Sequence, residues 1–269
     1  MLTKKNFLPA LIAGVLAAVV FMLPSCTKKD AAVNGVTGPT DAIKSAGVLK
    51  VGVKSDVPGF GVEDTSGQYS GLEIDLARLF ATAILGDETK VKFTPVTAKT
   101  RGPLIDNGDV DMIIATFTIT EERKLSYNFS TPYYTDAVGM LVLKSSGISS
   151  LKDCDGKIIG VAQSATSKGA IAAKAEELGI KVKFQEYANY PEIKAALDSG
   201  RINVFSVDKS ILNGYLDAAS QILPDTFAPQ PYGVVTKLSN KALADYVESK
   251  INEWLSDGTI TDLVEKYKL

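Results

Sequence analysis

The polar residues best able to do chemistry lie where strands are expected to end. Lys54 and Asp56 follow the valine-rich run 48–53, and Thr116, Thr118 and Thr120 follow the apolar run 112–115, with Arg123 just beyond. Farther along, Ser164 to Thr166 follow the run 158–161, and Asp208 follows 204–206. Hydroxyls, a guanidinium and a carboxylate at successive strand ends suit a zwitterion. An α-amino acid needs guanidinium, hydroxyl or amide donors for its carboxylate and an acid for its ammonium. Plainer uses compete for the same residues. Asp208 and Thr166 are candidate helix N-caps, Thr116 and Thr118 are good strand formers, and Arg123 sits in a charged run, 121–124.

Other chemistries drop out on composition. Histidine is absent from the 269 residues, which removes Ser-His-Asp and Cys-His catalysis, His-ligated zinc and any imidazole shuttle. Lys+Arg number 29 against 31 Asp+Glu, so there is no basic excess for nucleic acid. Ser206-Val207-Asp208-Lys209 has Ser-x-x-Lys spacing, but the companion motifs of penicillin-interacting enzymes are missing. No dinucleotide, Walker or calcium-loop motif occurs, so no cofactor, metal or enzymatic activity is expected.

The elements that must position these residues alternate. Strands are expected at 48–53, 91–96 and 112–115, with helices at 72–83 and 103–107 between them. A second series begins after 141–143, with strands at 158–161, 182–184 and 204–206 and helices at 167–178, 191–197 and 209–218. A last strand, 232–236, precedes helices at 241–255 and 260–267. Alternation of this kind predicts an α/β fold with parallel neighbours, and two such series predict two lobes with a cleft between them.

Residues 1–25 read as a signal peptide: Lys4 and Lys5, then an apolar stretch from Phe7 to Leu23. Leu23-Pro24-Ser25-Cys26 resembles a lipobox, which makes Cys26 the expected lipidation site. Residues 26–40 are small and polar, a flexible tether. Beyond the signal peptide 27 basic residues face 31 acidic ones, and Cys154 is the one remaining thiol besides Cys26. An exported protein, anchored by lipid in the periplasm or at the cell surface, is expected.

Longer stretches carry a family likeness. VGVKSDVPGF, GLEIDLA, GDVDMIIATFTITEERKLSYNFSTPYY and LVLK, followed by IGVAQSATSKGAI, IKAALDSG, FSVDKSIL and YGVVTK, resemble the bacterial extracellular solute-binding proteins for polar amino acids. The resemblance covers about residues 43–269 and is most specific in TFTITEERK and FSTPYY. TAKTRGPLIDNG and PYYTDAVG resemble most the aspartate/glutamate group, which includes surface adhesion antigens.

The resemblance implies a periplasmic-binding-protein-like α/β fold of two lobes joined by a two-strand hinge. It places 41–140 and 234–269 in lobe 1 and 141–233 in lobe 2, with crossings near 138–143 and 231–235. It implies a monomeric receptor that hands an acidic amino acid, aspartate or glutamate, to the membrane subunits of an ABC importer. A neutral ligand such as glutamine, a cyclohexadienyl-dehydratase activity and a dedicated adhesin are the alternatives. By the same resemblance Arg123, Thr118, Thr116 and Thr166 meet the α-carboxylate and Asp208 the α-ammonium. Arg101 and Lys54 meet a side-chain carboxylate, and Tyr190 is a pocket wall. Ser164 stands where many relatives have glycine.

Overall fold

The computed structural model describes residues 38–269; the expected signal peptide, Cys26 and most of the tether lie outside the described residues. The chain enters through α1 (Asp41–Ala46) and β1 (Leu49–Val53), then a small antiparallel sheet of β2 (Asp56–Val57), β3 (Gly61–Glu63) and β4 (Tyr69–Ser70). Next come α2 (Leu72–Leu85), β5 (Val91–Pro95), α3 (Arg101–Asn107), β6 (Met112–Ile114), α4 (Glu121–Lys124) and β7 (Tyr127–Phe129). The second lobe holds β8 (Tyr134–Leu143), β9 (Ile158–Ala162), α5 (Ser167–Glu177), β10 (Lys183–Tyr187), α6 (Tyr190–Asp198), β11 (Val204–Asp208), α7 (Lys209–Asn213), β12 (Ser220–Ile222) and β13 (Phe227–Tyr232). The chain then returns to the first lobe with β14 (Val235–Lys237), α8 (Lys241–Ser256) and α9 (Thr259–Tyr267).

Each lobe is built on one sheet. The first runs β5-β1-β6-β14-β7, with β1 parallel to both β5 and β6. The second runs β10-β9-β11-β8-β12, with β13 also on β8. The parallel strands are apolar because both faces are covered: Val51, Val53, Met112 and Ile114 are fully buried. Since β1, β6, β9 and β11 are parallel within their sheets, their carboxyl ends carry Lys54, Thr116, Ser164 and Asp208 to the line where the lobes meet.

Three sequence expectations need correction. The first crossing lies at 130–133, not 138–143, because all of β8 belongs to the second sheet; Val138 pairs with Asp208 and Leu141 with Phe205. The run 232–236 is not one strand: β13 pairs with β8 and β14 with β6 and β7, so the chain changes sheets at 233–234. The helix 209–218 stops at Asn213, because the Asp217 carboxylate takes the backbone N–H of Ala219 and Ser220 and folds that segment as a turn. The two crossings run side by side, joined by the Tyr133 N–H to the Tyr232 carbonyl at 2.9 Å and a bridge from Thr118 to Tyr232.

An aromatic cluster packs where the lobes meet. Phe60 lies edge-on to Tyr134 at 5.2 Å and to Tyr232 at 5.7 Å. These rings belong to a continuous buried cluster that contains Val51 and Phe80 of the first lobe and Ile193 and Phe205 of the second.

Candidate ligand-binding site

Arg123 stands at the mouth of the seam. Thr120 caps the one-turn helix α4 by accepting the Arg123 N–H, which fixes the backbone at that residue. The guanidinium donates to the Thr118 carbonyl at 2.8 Å and, across the lobes, to the Ser164 carbonyl at 3.0 Å. It lies 4.9 Å from the Phe117 ring centroid. Burial, then the nearby Arg101 cation, pushes its pKa down to about 9, so it stays charged at neutral pH. With Thr118, Ser164 and Thr166 it lines an interlobe cleft of about 650 Å³.

Deeper in the seam lies a set of buried charges. Lys54 is 2% exposed; its Nζ is 3.0 Å from Asp56 Oδ1 and 4.6 Å from the centroid of the Tyr190 ring, which belongs to the other lobe. Burial pushes the Lys54 pKa down. Arg101 is 3% exposed. It donates to the carbonyls of Ala115 at 2.6 Å and Thr116 at 3.1 Å, with its guanidinium 3.7 Å from the Phe117 centroid. Thr116 is held from both sides, since its N–H donates to Glu73 Oε1 at 2.5 Å. That grip matters because Thr116 has φ +43, a region that β-branched residues avoid. Ser164 has φ +63, the conformation glycine takes without cost.

Asp208 completes the cluster from the second lobe. It occupies the N-cap position of α7, yet its side chain makes no cap bond. Asp136 takes the Ser210 N–H at 2.9 Å instead, which leaves the Asp208 carboxylate to the seam. There it accepts a short hydrogen bond from the Tyr232 hydroxyl, tying it to the hinge. Thr166 likewise makes no cap bond. Its hydroxyl and that of Thr118 both donate to Gln230 Oε1, at 2.6 and 2.8 Å. The Ala228 carbonyl accepts from Gln230 Nε2 at 3.1 Å and so fixes the amide's orientation. A bound carboxylate would have to replace Gln230 as the acceptor of those two hydroxyls.

The seam thus gathers Lys54, Arg101, Thr116, Thr118, Arg123, Thr166, Tyr190 and Asp208, with only Arg123 and the threonines 118 and 166 lining the open cleft. Sequence reading missed Glu73 and Gln230. Glu73 left one signal: it shares a spacing of four, three and four with Ala77, Phe80 and Ile84, all buried on α2. Gln230 left none, because it lies between two prolines and outside the expected strands.

Two of these acids carry a testable pH signature. Burial raises Glu73 to about 7, against the opposing hydrogen bonds from Tyr133 and Thr116. Burial also raises Asp208 to about 7, against the Tyr232 hydroxyl. Between the ordinary carboxylate range and about pH 7 the folded state therefore binds more protons than the unfolded one. The stability these groups contribute is full at acid pH and is lost as pH rises through their folded values. The ligand-free melting temperature should fall by roughly 2–4 °C per kcal/mol lost between about pH 5 and about pH 8. Calorimetry of the wild type and a Glu73→Gln/Asp208→Asn double variant checks this: the variant should show a flatter slope, and an identical slope would refute the assignment.

Comparison with known proteins decides the family. Residues 49–269 match the model of the bacterial extracellular solute-binding proteins, family 3. The chain belongs to that family. It is 36% identical over 273 residues to the ABC transporter glutamine-binding protein GlnH of Bacillus subtilis, covering 98% of this chain and 97% of that protein. It is 38% identical over 220 residues to a glutamine-binding protein of Geobacillus stearothermophilus, covering 80% of this chain and 81% of that one. Among solved structures it resembles an ancestral arginine-binding protein bound to arginine, with a TM-score of 0.74, 34% identity and coverage of 82% of this chain and 98% of the other. These two sequence relatives are named for glutamine, whereas the sequence motifs pointed to an acidic ligand. Both fit a solute-binding receptor of two α/β lobes.

Proposed function

We propose that this protein captures a polar amino acid between its lobes and delivers it to an ABC importer, with glutamine preferred and glutamate second. The charge balance of the seam carries this reading. With Glu73 and Asp208 ionised, as they are above about pH 7, Lys54, Arg101 and Arg123 are matched by Asp56, Glu73 and Asp208. A zwitterion with a neutral side chain adds one charge of each sign and keeps that balance. A second carboxylate adds a negative charge, and an unmatched charge taken out of water costs several kcal/mol. The cations expected to receive it are already in use: Lys54 lies 3.0 Å from Asp56, and Arg101 Nη1 is bonded to two backbone carbonyls, leaving its buried Nε without a partner. The names of the two sequence relatives point the same way.

In this reading Arg123 takes the α-carboxylate and Asp208 the α-ammonium, with one group from each lobe. Closure then becomes favourable when a ligand partners both halves, and the paired crossings serve as the hinge. The signal peptide directs export, and a lipid on Cys26 holds the monomer outside the cytoplasm beside its importer. A thermal-shift screen against the proteinogenic amino acids tests the proposal. At about 100 times its dissociation constant, a ligand specific for the folded state adds about 2.7 kcal/mol, so glutamine should give the largest rise and glutamate the next. A larger rise with arginine or aspartate would overturn the ligand assignment, and no rise with any amino acid would overturn the receptor reading.

A further inference from the structure

We propose that Gln230 is an internal competitor for the ligand's α-carboxylate: its amide oxygen holds the two hydroxyl protons that the carboxylate needs, and so limits how tightly any amino acid binds. The inference rests on the receptor reading and is independent of which side chain is preferred. Thr118 of the first lobe and Thr166, just before α5 of the second, line the same cleft as Arg123. A threonine hydroxyl has one proton to give. Here both protons go to one atom, Gln230 Oε1, at 2.8 and 2.6 Å. Gln230 lies on β13, is 2% exposed and forms part of the cleft wall. In this arrangement neither hydroxyl is free to donate to a ligand.

The backbone holds the amide in that orientation. Gln230 Nε2 donates to the Ala228 carbonyl at 3.1 Å. Ala228 has φ +32 where the β13 ladder shifts register, a conformation that side chains other than glycine seldom adopt. Turning the amide over would offer its NH2 to the threonine oxygens and free both protons. It would also set Oε1 against the Ala228 carbonyl, acceptor to acceptor. If the amide stays in place while the hydroxyls turn to a ligand, Oε1 is left nearly buried without a donor, which is costly. Capture therefore breaks two bonds to form two. The exchange is favourable because a hydrogen bond to a carboxylate is roughly twice as strong as one between neutral groups. The net gain is still smaller than hydroxyls bonded only to water would give.

Two substitutions should act in opposite directions. Gln230→Met nearly keeps the volume and removes the acceptor, so glutamine, glutamate and asparagine should all bind about three- to tenfold more tightly, by a common factor. Gln230→Glu puts a charged acceptor on the same hydroxyls and a like charge beside the incoming carboxylate, so all three should weaken by about tenfold or more. Titration calorimetry against the wild type and both variants reads the two signs. Unchanged or weaker binding in a Gln230→Met protein with native circular dichroism overturns the inference and leaves the receptor reading standing. So does tightening confined to one side chain, or wild-type affinity in Gln230→Glu. A wild type that binds no amino acid overturns both. If neither variant folds, crystal structures of the wild type with and without a bound amino acid decide. Gln230 Oε1 beyond hydrogen-bond distance of both threonine hydroxyls in the complex alone supports the inference, and Oε1 still bonded to either hydroxyl beside the ligand overturns it.

Discussion

Arg123→Met is expected to weaken every amino-acid ligand together, by about 2–5 kcal/mol, or roughly thirtyfold to several thousandfold. The guanidinium is half-buried, remains a cation at neutral pH, and lines the open cleft. In the proposed mode it pairs with the α-carboxylate, which all ligands share, so its loss should not alter the ranking of side chains. Its bond to the Ser164 carbonyl also joins the lobes, so closure should weaken with binding. Asp208→Asn should cost a similar amount, because the amide keeps an acceptor for the Tyr232 hydroxyl but loses the charge that meets the ammonium. Titration of glutamine, glutamate and asparagine against each variant measures the effect. Wild-type affinity in either variant would remove that residue from the α-group assignment.

The largest effect on stability is expected at Gly71, where the chain enters α2. Gly71 has φ +130, and a Cβ there would collide with the Phe60 carbonyl and the Gly61 nitrogen. That backbone cannot easily yield, because the Phe60 carbonyl accepts the Glu73 N–H at 3.0 Å and the Gly59 carbonyl accepts the Leu72 N–H at 2.9 Å. Gly71→Ala should therefore combine backbone strain with a displaced helix start and destabilise the protein by about 4 kcal/mol or more. It should also lower ligand affinity, since Glu73, which holds the Thr116 N–H, moves with the helix. Gly86→Ala is the comparison: φ there is +73, but nothing lies within 4 Å of the added carbon. Urea denaturation of the two variants separates the effects. Equal losses would show that the contact with Phe60 contributes nothing.

How far the sequence reveals the site depends on how local each signal is. Lys54, Thr116, Ser164 and Asp208 were found because each follows an apolar run that forms a parallel strand, and such strands present their ends to the seam. The charges beyond those runs are few, so their chemistry stood out. The positions of the crossings were not local. β8 is one uninterrupted strand from Tyr134 to Leu143, and only its pairing with β11 and β13 shows which lobe it joins. Pro229 and Pro231 gave no strand signal for β13. They are tolerated because the β13 ladder is with β8, and its other edge meets only the bridge from Thr118 to Tyr232, so a missing N–H can face away from the ladder. Gln230 and Tyr232, on one face of that strand, could be linked to Thr118, Thr166 and Asp208 only in three dimensions. Glu73 lay in view on an amphipathic helix, where an acid among apolar residues reads as a surface position until its spacing is compared with that of Ala77 and Phe80.

A crystal structure of the protein grown with glutamine will show whether the seam between the lobes holds a polar amino acid by its α-groups. One glutamine should lie enclosed between the lobes, its carboxylate on Arg123 and its ammonium on Asp208. Glutamine bound outside the seam, or bound within it with the carboxylate away from Arg123 and the ammonium away from Asp208, would contradict it.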